Sequence, residues 1–420
     1  GKELGMTIIV TDHHEVPYKE NEAGRRYILP PADAVVDPRQ EGCEYPFKGL
    51  CGAAVAYKLI EALSEVNGQD VADLDYLLEN VAIATVADVM DLTEENRILV
   101  KQGLEMLTRT SNLGLRALIQ CIGLEGKKIQ AYHIGFILAP CLNASGKLDT
   151  AKRALALLRA KTEREADMLA GDLKALNESR RDMTDRVVDE AMAKVEQTDI
   201  REDKVLVIYL PDCHESLAGL VAGRVRENYY RPVFVLTDSE DGVKGSGRSI
   251  ESYSMYEELT GCGDLLTKFG GHPMAAGLSL DKENVEKFKR RLNDQCTLSE
   301  EELTEKVVID MELPFTAITE HFIEELECLE PFGKGNAKPV FAARGVIMQH
   351  VKIIGKNKNV AKATAIDASG NRMEAICFRD AQEFAEQCER NNGKMSITFY
   401  PGINEFRGER QIQIVITHYR

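Results

Sequence analysis

Hydrophobic and polar positions follow different periods in successive parts of the chain. In the first part, short apolar runs at 6–11 and 34–37 alternate with helical patterns at 50–63 and 74–84. Strands that alternate with helices are typical of a parallel sheet covered by helices. We therefore predict an α/β domain over residues 1–149, organised as part of a doubly wound sheet.

The middle of the chain changes to a continuous helical pattern and then back to α/β. Residues 150–197 contain no proline and a single glycine, with opposite charges four residues apart, which predicts one long connecting helix or two in series over 150–200. A second α/β domain is predicted over 201–298. Its strands are expected at 204–210, 232–237 and 243–249, and its helices at 216–226 and 284–295.

The last part has strand-like periodicity. Ile412, Ile414 and Ile416 alternate with Gln411 and Gln413, as expected for a half-buried strand. Five such runs with a helix at 381–390 after the third give the order of an OB-fold β-barrel, which we predict for residues 299–420. The runs lie at 340–354, 360–367, 372–378, 395–400 and 411–417.

Composition narrows the protein class. The chain has 420 residues, of which 44% are apolar, and it contains no apolar run of 18 residues, so no transmembrane helix is predicted. Ten scattered cysteines include no C-x-x-C pair, which argues against a structural zinc site and favours reduced thiols of a cytoplasmic protein. Because the chain begins with Gly and almost directly with a strand, we expect further residues upstream.

Charge is unevenly distributed. The net charge is −16, yet residues 331–420 carry 14 Lys and Arg against 8 Asp and Glu, a net charge of +6. A basic module joined to an acidic body is typical of a protein that binds a polyanion locally. A chance imbalance is the alternative.

The first candidate for chemistry is Asp12-His13-His14, which directly follows the strand at 6–11. Ligands bind at the carboxyl ends of strands in open α/β sheets, and carboxylate and imidazole groups are both metal donors. The alternative is an ordinary surface turn. Asp88 follows a helical pattern and is either a metal ligand beside His13 or the cap of the next helix.

Three small-residue segments are candidate phosphate sites. Asn143 and Lys147 lie in a polar segment that we expect to form the turn before the long helix, where N–H groups and a lysine bind an anion; a simple helix cap is the alternative. Gly245–Ser249 combines flexible glycines with an arginine, and Gly270–Pro273 is expected to be a glycine-rich loop with a histidine. Each segment alone is equally consistent with a turn. Aromatics interleaved with Lys and Arg in the last module suit base stacking, but most of them are expected in the barrel core.

Motif-like segments follow one another at 11–14, 85–88, 142–148, 214–222, 245–249, 270–272 and 331–336, the last together with 406–409. Taken in order, they resemble the DHH phosphoesterase superfamily, and specifically its RecJ branch of single-stranded-DNA exonucleases. The family's Asp-x-Asp motif and a second metal-binding aspartate, both upstream in the family, are not found, and Lys147 replaces the usual arginine.

The resemblance implies a DHH domain, a DHHA1 domain and an OB-fold, with a two-metal site for Mn²⁺ or Mg²⁺ in the full-length protein. By the family's pattern, His13 and Asp88 are metal ligands, Asp12 orients the site and His14 contacts the scissile phosphate. Nucleic-acid contacts are expected from Asn143, Lys147, Ser246, Arg248, Ser249, Gly271 and His272.

The resemblance further implies 5′ to 3′ hydrolysis of single-stranded DNA in recombination and repair. A single-stranded-DNA-binding protein and a helicase are expected partners, and no membrane is involved. Two alternatives stay open: a phosphodiesterase acting on short oligonucleotides or cyclic dinucleotides, and a non-catalytic DNA-binding scaffold of the same fold. Because the upstream aspartates are not found, we expect residues 1–420 alone to bind Mn²⁺ weakly and to cleave little DNA.

Overall fold

The computed structural model describes residues 1–21, 24–148, 151–355, 358–378, 381–406 and 408–420, with the backbone alone at 20–21, 145–148 and 406. The helices are α1 Gly52–Val66, α2 Leu78–Ala87, α3 Glu94–Leu107, α4 Leu113–Cys121, α5 Ala131–His133, α6 Ala139–Leu148, α7 Lys152–Leu158, α8 Glu163–Gln197, α9 Glu215–Tyr229, α10 Met255–Gly261, α11 Val285–Gln295, α12 Glu320–Glu327 and α13 Ala381–Arg390. The strands are β1 Ile9–Thr11, β2 Tyr18–Asn21, β3 Gly24–Tyr27, β4 Ala34–Val36, β5 Leu206–Tyr209, β6 Val233–Ser239, β7 Gly242–Arg248, β8 Leu266–His272, β9 Ala275–Leu280, β10 Met311–Glu312, β11 Phe341–Ile354, β12 Val360–Ile366, β13 Arg372–Cys377, β14 Lys394–Phe406 and β15 Glu409–Tyr419.

The chain divides into two compact units. The first contains residues 1–140, 160–167 and 308–420, and the second contains residues 141–159 and 168–307. Among the described residues, no helix combines the length and apolar character that crossing a membrane requires.

The start of the first unit is the predicted α/β segment. Strands β1 and β4 pair in parallel, with Thr11 opposite Val36, and helices α1 and α2 bury a shared core that includes Val55 and Val81. At the base of this core, the buried Thr85 hydroxyl lies 3.3 Å from the Cys51 thiol, which joins α2 to the beginning of α1. The predicted parallel arrangement is confirmed, whereas the polar hairpin β2–β3 has no hydrophobic alternation that would have predicted it.

The end of the first unit is the predicted OB-fold. The strand order is β10-β11-β12-β13-β15-β14, and β11 also pairs with β14, which closes the barrel. Ile414 and Ile416 are buried inside it, as their alternation indicates. Strands β14 and β15 extend beyond the predicted ranges because their hydrogen-bonded pairing continues to Phe406 opposite Glu409, past the last apolar positions.

Within this unit, the segment that leads into the barrel contacts the turn after α2. The Leu92 N–H donates to the Lys334 carbonyl (2.7 Å), and the Lys334 ammonium lies 3.1 Å from the Asp91 carboxylate. Arg97, on α3, donates to the carbonyls of Cys328 and Leu329 at the end of α12, at 3.1 and 3.0 Å. These contacts hold the barrel next to the segment that follows Asp88.

The second unit is built on a five-stranded sheet in the order β5-β6-β7-β9-β8. Along β6, Phe234 and Leu236 enter the core on one face, and Val233 and Val235 enter the core on the other, so both faces are covered. The loop expected from Gly270 onward is instead the end of β8 and its partner β9. That expectation was wrong because small residues also permit close strand pairing.

The connecting segment is two helices, α7 and α8, in agreement with one of the two predicted alternatives. The Thr162 hydroxyl accepts from the Glu165 N–H (3.2 Å), which caps the start of α8. The expectation of a polar turn at 143–147 was wrong. Residues 139–148 form α6, because the small residues Ala144, Ser145 and Gly146 are tolerated inside a helix when the pattern around them is helical.

Candidate metal centre and nucleic-acid interface

The turn Asp12-His13-His14 begins where β1 ends. The Asp12 N–H still donates to the Val36 carbonyl (3.0 Å), so the turn is anchored on the sheet. One Asp12 carboxylate oxygen accepts from the N–H groups of His13 (2.7 Å) and His14 (3.2 Å) and from His14 Nδ1 (2.6 Å). This folding brings the two imidazoles to a centroid separation of 4.3 Å, and donor atoms from all three residues lie within 4.8 Å of one another.

Hydrogen bonding fixes the charge of Asp12. The bond from His14, followed by the bond from the His13 backbone, lowers the pKa of Asp12 to about 2. Asp12 is therefore a carboxylate that orients the turn, since hydrogen bonds to the charged form stabilise it. With Nδ1 bound by Asp12, the exposed His14 ring is left with Nε2 to contact a ligand.

Asp88 is held by the end of α2. Its N–H donates to the Ala84 carbonyl (2.9 Å), and the N–H groups of Val89 and Met90 bond back to Val86 and Thr85, which is a Schellman ending. Val89 occupies the left-handed position, with φ +54°, that glycine usually fills. A branched residue in that conformation costs about 1–3 kcal/mol, and such strain is concentrated at functional sites.

The structure brings His13 and Asp88 together. His13 Nε2 lies 3.6 Å from the Asp88 carboxylate, which is longer than a hydrogen bond. On its other side, the His13 ring packs against the first residue of α1, where a Cβ on Gly52 would lie 3.3 Å from His13 Cδ2. A nitrogen and an oxygen donor that face one another across such a gap suit a shared divalent cation, and Mn²⁺ accepts both donor types.

The helix boundaries contradict one of the two alternatives for Asp88. It caps the end of α2 rather than the start of the next helix, because Thr93 is the residue before α3. Asp37 was not singled out from the sequence: it follows β4, the parallel neighbour of β1, and therefore lies at the same sheet edge as Asp12, where its buried carboxylate accepts from the Arg39 N–H (2.9 Å). The signal that singled out Asp12, a carboxylate directly after an apolar run, was present there as well.

A second set of predicted residues meets on the sheet of the second unit. In the register of the strands, Arg248 on β7 is opposite Ala275 on β9, and Ala275 is opposite His272 on β8. Two residues away along each strand, Gly277 on β9 is opposite both Ser246 on β7 and Gly270 on β8. Two separate segments of the sequence thus place a guanidinium and an imidazole at one end of three adjacent strands.

The Arg248 side chain is confined. Its Nη1 donates to the Gly247 carbonyl (2.7 Å), and burial, followed by repulsion from Arg226, lowers the pKa of Arg248. A Cβ on Gly219 of α9 would lie 2.8 Å from Arg248 Nη2 and 2.9 Å from the Ser246 hydroxyl. Because Gly219 has no side chain, it leaves room for the Arg248 guanidinium on this face of the sheet. A guanidinium that is already held in place suits the binding of an anion.

Comparison with known proteins identifies these segments. Residues 1–85 match the model of the DHH family N-terminal domain, 202–298 match the DHHA1 domain, and 309–418 match the RecJ OB domain. The single-stranded-DNA-specific exonuclease RecJ of Salmonella typhimurium is 33% identical over 437 residues, covering 99% of this chain and 73% of that protein. The chain belongs to the RecJ family.

Two further RecJ proteins define the extent of the match. RecJ of Bacillus subtilis is 37% identical over 420 residues, which are 99% of this chain and 51% of that protein, so the chain spans about half the length of this relative. The crystal structure of RecJ from Thermus thermophilus in complex with Mn²⁺ superposes with a TM-score of 0.80 at 28% identity, covering 100% of this chain and 58% of the other.

The other residues of this RecJ chain that were predicted to contact nucleic acid lie in different surroundings. Gly271 has φ +150° and its backbone lies against Ala275 and Ala276, so it shapes the end of β8. Ser249 is buried and its hydroxyl donates to the Tyr253 carbonyl (2.5 Å), which argues against a DNA contact. Asn143 is exposed on α6, and the Lys147 side chain lies outside the described residues.

Proposed function

We propose that this protein hydrolyses phosphodiester bonds in single-stranded DNA from the 5′ to the 3′ direction, with Mn²⁺ or Mg²⁺ as the cofactor. The observation that carries the proposal is the pairing of His13 Nε2 with the Asp88 carboxylate beside the Asp12-His13-His14 turn. Support comes from the relatives, which are named single-stranded-DNA-specific exonucleases, and from the Thermus protein, which binds Mn²⁺.

In the proposed site, His13 and Asp88 hold the cation. A bound divalent cation lowers the pKa of water and neutralises charge on the phosphoryl group. Asp12 stays ionised and fixes the ring of His14, and His14 Nε2 contacts an oxygen of the scissile phosphate. Arg248 and His272 bind phosphates of the strand in the second unit, where the paired strands present them together.

We also propose that residues 1–420 by themselves hold the cation weakly and cleave little DNA. In the proposed roles, His13 and Asp88 are the protein ligands among the described residues, and two side chains leave most coordination positions of two six-coordinate ions to water. Rapid digestion of single-stranded DNA by the 420-residue chain would contradict this proposal. The protein is proposed to act in the cytoplasm, with a single-stranded-DNA-binding protein and a helicase as partners.

Asp88→Asn tests the function against a closely matched control. Asp91 lies on the same turn, and the two carboxylates are 51% and 54% exposed, but Asp91 pairs with Lys334 rather than with an imidazole. In a protein that has measurable activity, Asp88→Asn is expected to lower Mn²⁺-dependent cleavage by at least about 100-fold. Residues that only hydrogen-bond to a metal ligand typically cost about 10- to 100-fold when they are replaced, and a ligand itself should cost no less. Asp91→Asn is expected to retain it.

The choice of substrate distinguishes the alternatives. Release of mononucleotides from a long strand labelled at its 3′ end, but not from one blocked at its 5′ end, supports the proposal. Preferential hydrolysis of dinucleotides or cyclic dinucleotides would instead favour the phosphodiesterase. Strand binding without Mn²⁺-dependent cleavage in any length of the protein would favour the scaffold.

A further inference from the structure

An exposed pair of aromatic rings lies in the first unit, outside the metal centre. Tyr132 and Phe136 are stacked, with ring centroids 4.9 Å apart and an interplanar angle of 28°. Their side chains are nevertheless 60% and 71% exposed. Two large rings that stack on each other and still face solvent offer a flat apolar surface on which another planar group can stack.

The pair belongs to the element that packs against the metal-site helix. Helix α5 continues into a π-helical turn, Ile134–Leu138, which carries Phe136. Within that turn, a Cβ on Gly135 would lie 3.6 Å from Val86 Cγ1, and Val86 is two residues before Asp88. π-Helical turns occur frequently at functional sites, because they shift side chains out of the regular helical register.

Positive charge accompanies the rings. Lys127 is exposed and lies five residues before Tyr132, in the segment that leads into α5. Its ammonium donates to the Gly123 carbonyl (2.9 Å), and no described carboxylate forms an ion pair with it. The adjacent Lys128, by contrast, is paired with Glu327 and Glu330.

We propose that Tyr132 and Phe136 form a stacking platform for a base of single-stranded DNA, with Lys127 binding a backbone phosphate beside it. Stacked aromatic faces next to an unpaired ammonium match the chemistry of a nucleotide, a flat base joined to an anionic phosphate. The inference rests on the proposed function and adds to it a base-binding surface carried against the helix that ends at Asp88.

The absence of tryptophan from the sequence allows a direct optical test. Phe136→Trp keeps a stacking ring and becomes the sole tryptophan. Its fluorescence is expected to be quenched saturably by an oligothymidylate in EDTA, where no cleavage occurs. Tyr76→Trp is the matched control, since Tyr76 is 58% exposed in the same unit but has no stacked neighbour among the described rings, and it is expected to show no quenching.

Alanine variants then separate stacking from electrostatic binding. Tyr132→Ala and Phe136→Ala are expected to weaken binding of the oligothymidylate by about 5- to 150-fold, the loss typical of one base–aromatic contact. Binding of an abasic strand of equal length is expected to stay unchanged. Lys127→Ala is expected to weaken both strands alike.

Two results would overturn the platform. One is equal binding of the oligothymidylate by Phe136→Ala and by the parent protein. The other is a Phe136→Trp fluorescence signal that saturating DNA does not quench. The second result would indicate that another protein, rather than DNA, covers this surface. The measurement is made without metal, so it is independent of hydrolysis. Quenching without cleavage in any form of the protein would refute the nuclease proposal and leave the platform standing.

Discussion

Gly271 offers a sharp test of the strand pairing that brings Arg248 and His272 together. Its φ of +150° lies in a region that residues with a Cβ rarely adopt. A Cβ at this position would lie 2.4 Å from the Ala275 carbonyl oxygen and 2.5 Å from Ala276 Cα. Both contacts are with backbone atoms of β9, which cannot rotate away as a flexible side chain would.

The expected cost of Gly271→Ala follows from these two effects. The backbone conformation costs about 1–3 kcal/mol for a residue with a Cβ, and forcing a methyl group into occupied space costs about 1–3 kcal/mol more. The two costs add to about 2–6 kcal/mol, and the midpoint of about 4 kcal/mol lowers the unfolding temperature of a unit of this size by roughly 8–16 °C. The strain would also separate His272 from Arg248, so affinity for single-stranded DNA should fall as well.

The neighbouring residue is the control. Gly270 has no atom within 4 Å of an added Cβ and no positive φ, so Gly270→Ala is expected to leave stability unchanged or to raise it by about 0.4–1 kcal/mol. Thermal unfolding followed by circular dichroism, and fluorescence anisotropy of a labelled strand in EDTA, measure the two effects. If Gly271→Ala unfolds at the same temperature as Gly270→Ala, the deduced register of β8 and β9 is wrong.

Three other variants test separate parts of the structure. Arg248→Lys should weaken single-stranded-DNA binding by about tenfold because a lysine loses the two-pronged contact with phosphate, and unchanged affinity at fixed salt would contradict this role. Val89→Gly should raise the free energy of unfolding by about 1 kcal/mol by relieving the strained φ of +54°, and a urea midpoint no higher than that of the parent would argue against strain. Burial raises the pKa of Cys262 to about 11 from an ordinary 9.0, so the folded state favours the protonated thiol. The stability that this thiol contributes should be fully present below pH 9 and fall as the pH rises towards 11. Urea titrations across that range should therefore show a smaller fall for Cys262→Ala than for the parent.

The sequence by itself determined the architecture of much of the molecule. Alternation of Ile412, Ile414 and Ile416 located a strand of the barrel, and the helix at 381–390 was predicted with the bounds that the structure has. Asp12 and His13 could be singled out as candidates because metal donors directly follow a strand, although a surface turn was the alternative. The strand and helix predictions succeeded because burial imposes a period on the sequence, and a period is readable without knowing what covers each face.

Tertiary structure decided everything that depends on contacts between distant segments. The 3.6 Å approach of His13 to Asp88 arises because α1 packs against β1 and α2 packs against α1, which no local pattern encodes. The alignment of Arg248 with His272 depends on strand register, and the loop prediction from Gly270 onward failed because glycine serves both turns and close strand pairing. Segment 143–147 was misassigned for a related reason: short polar and small residues are ambiguous locally, and the helix around them settles their conformation.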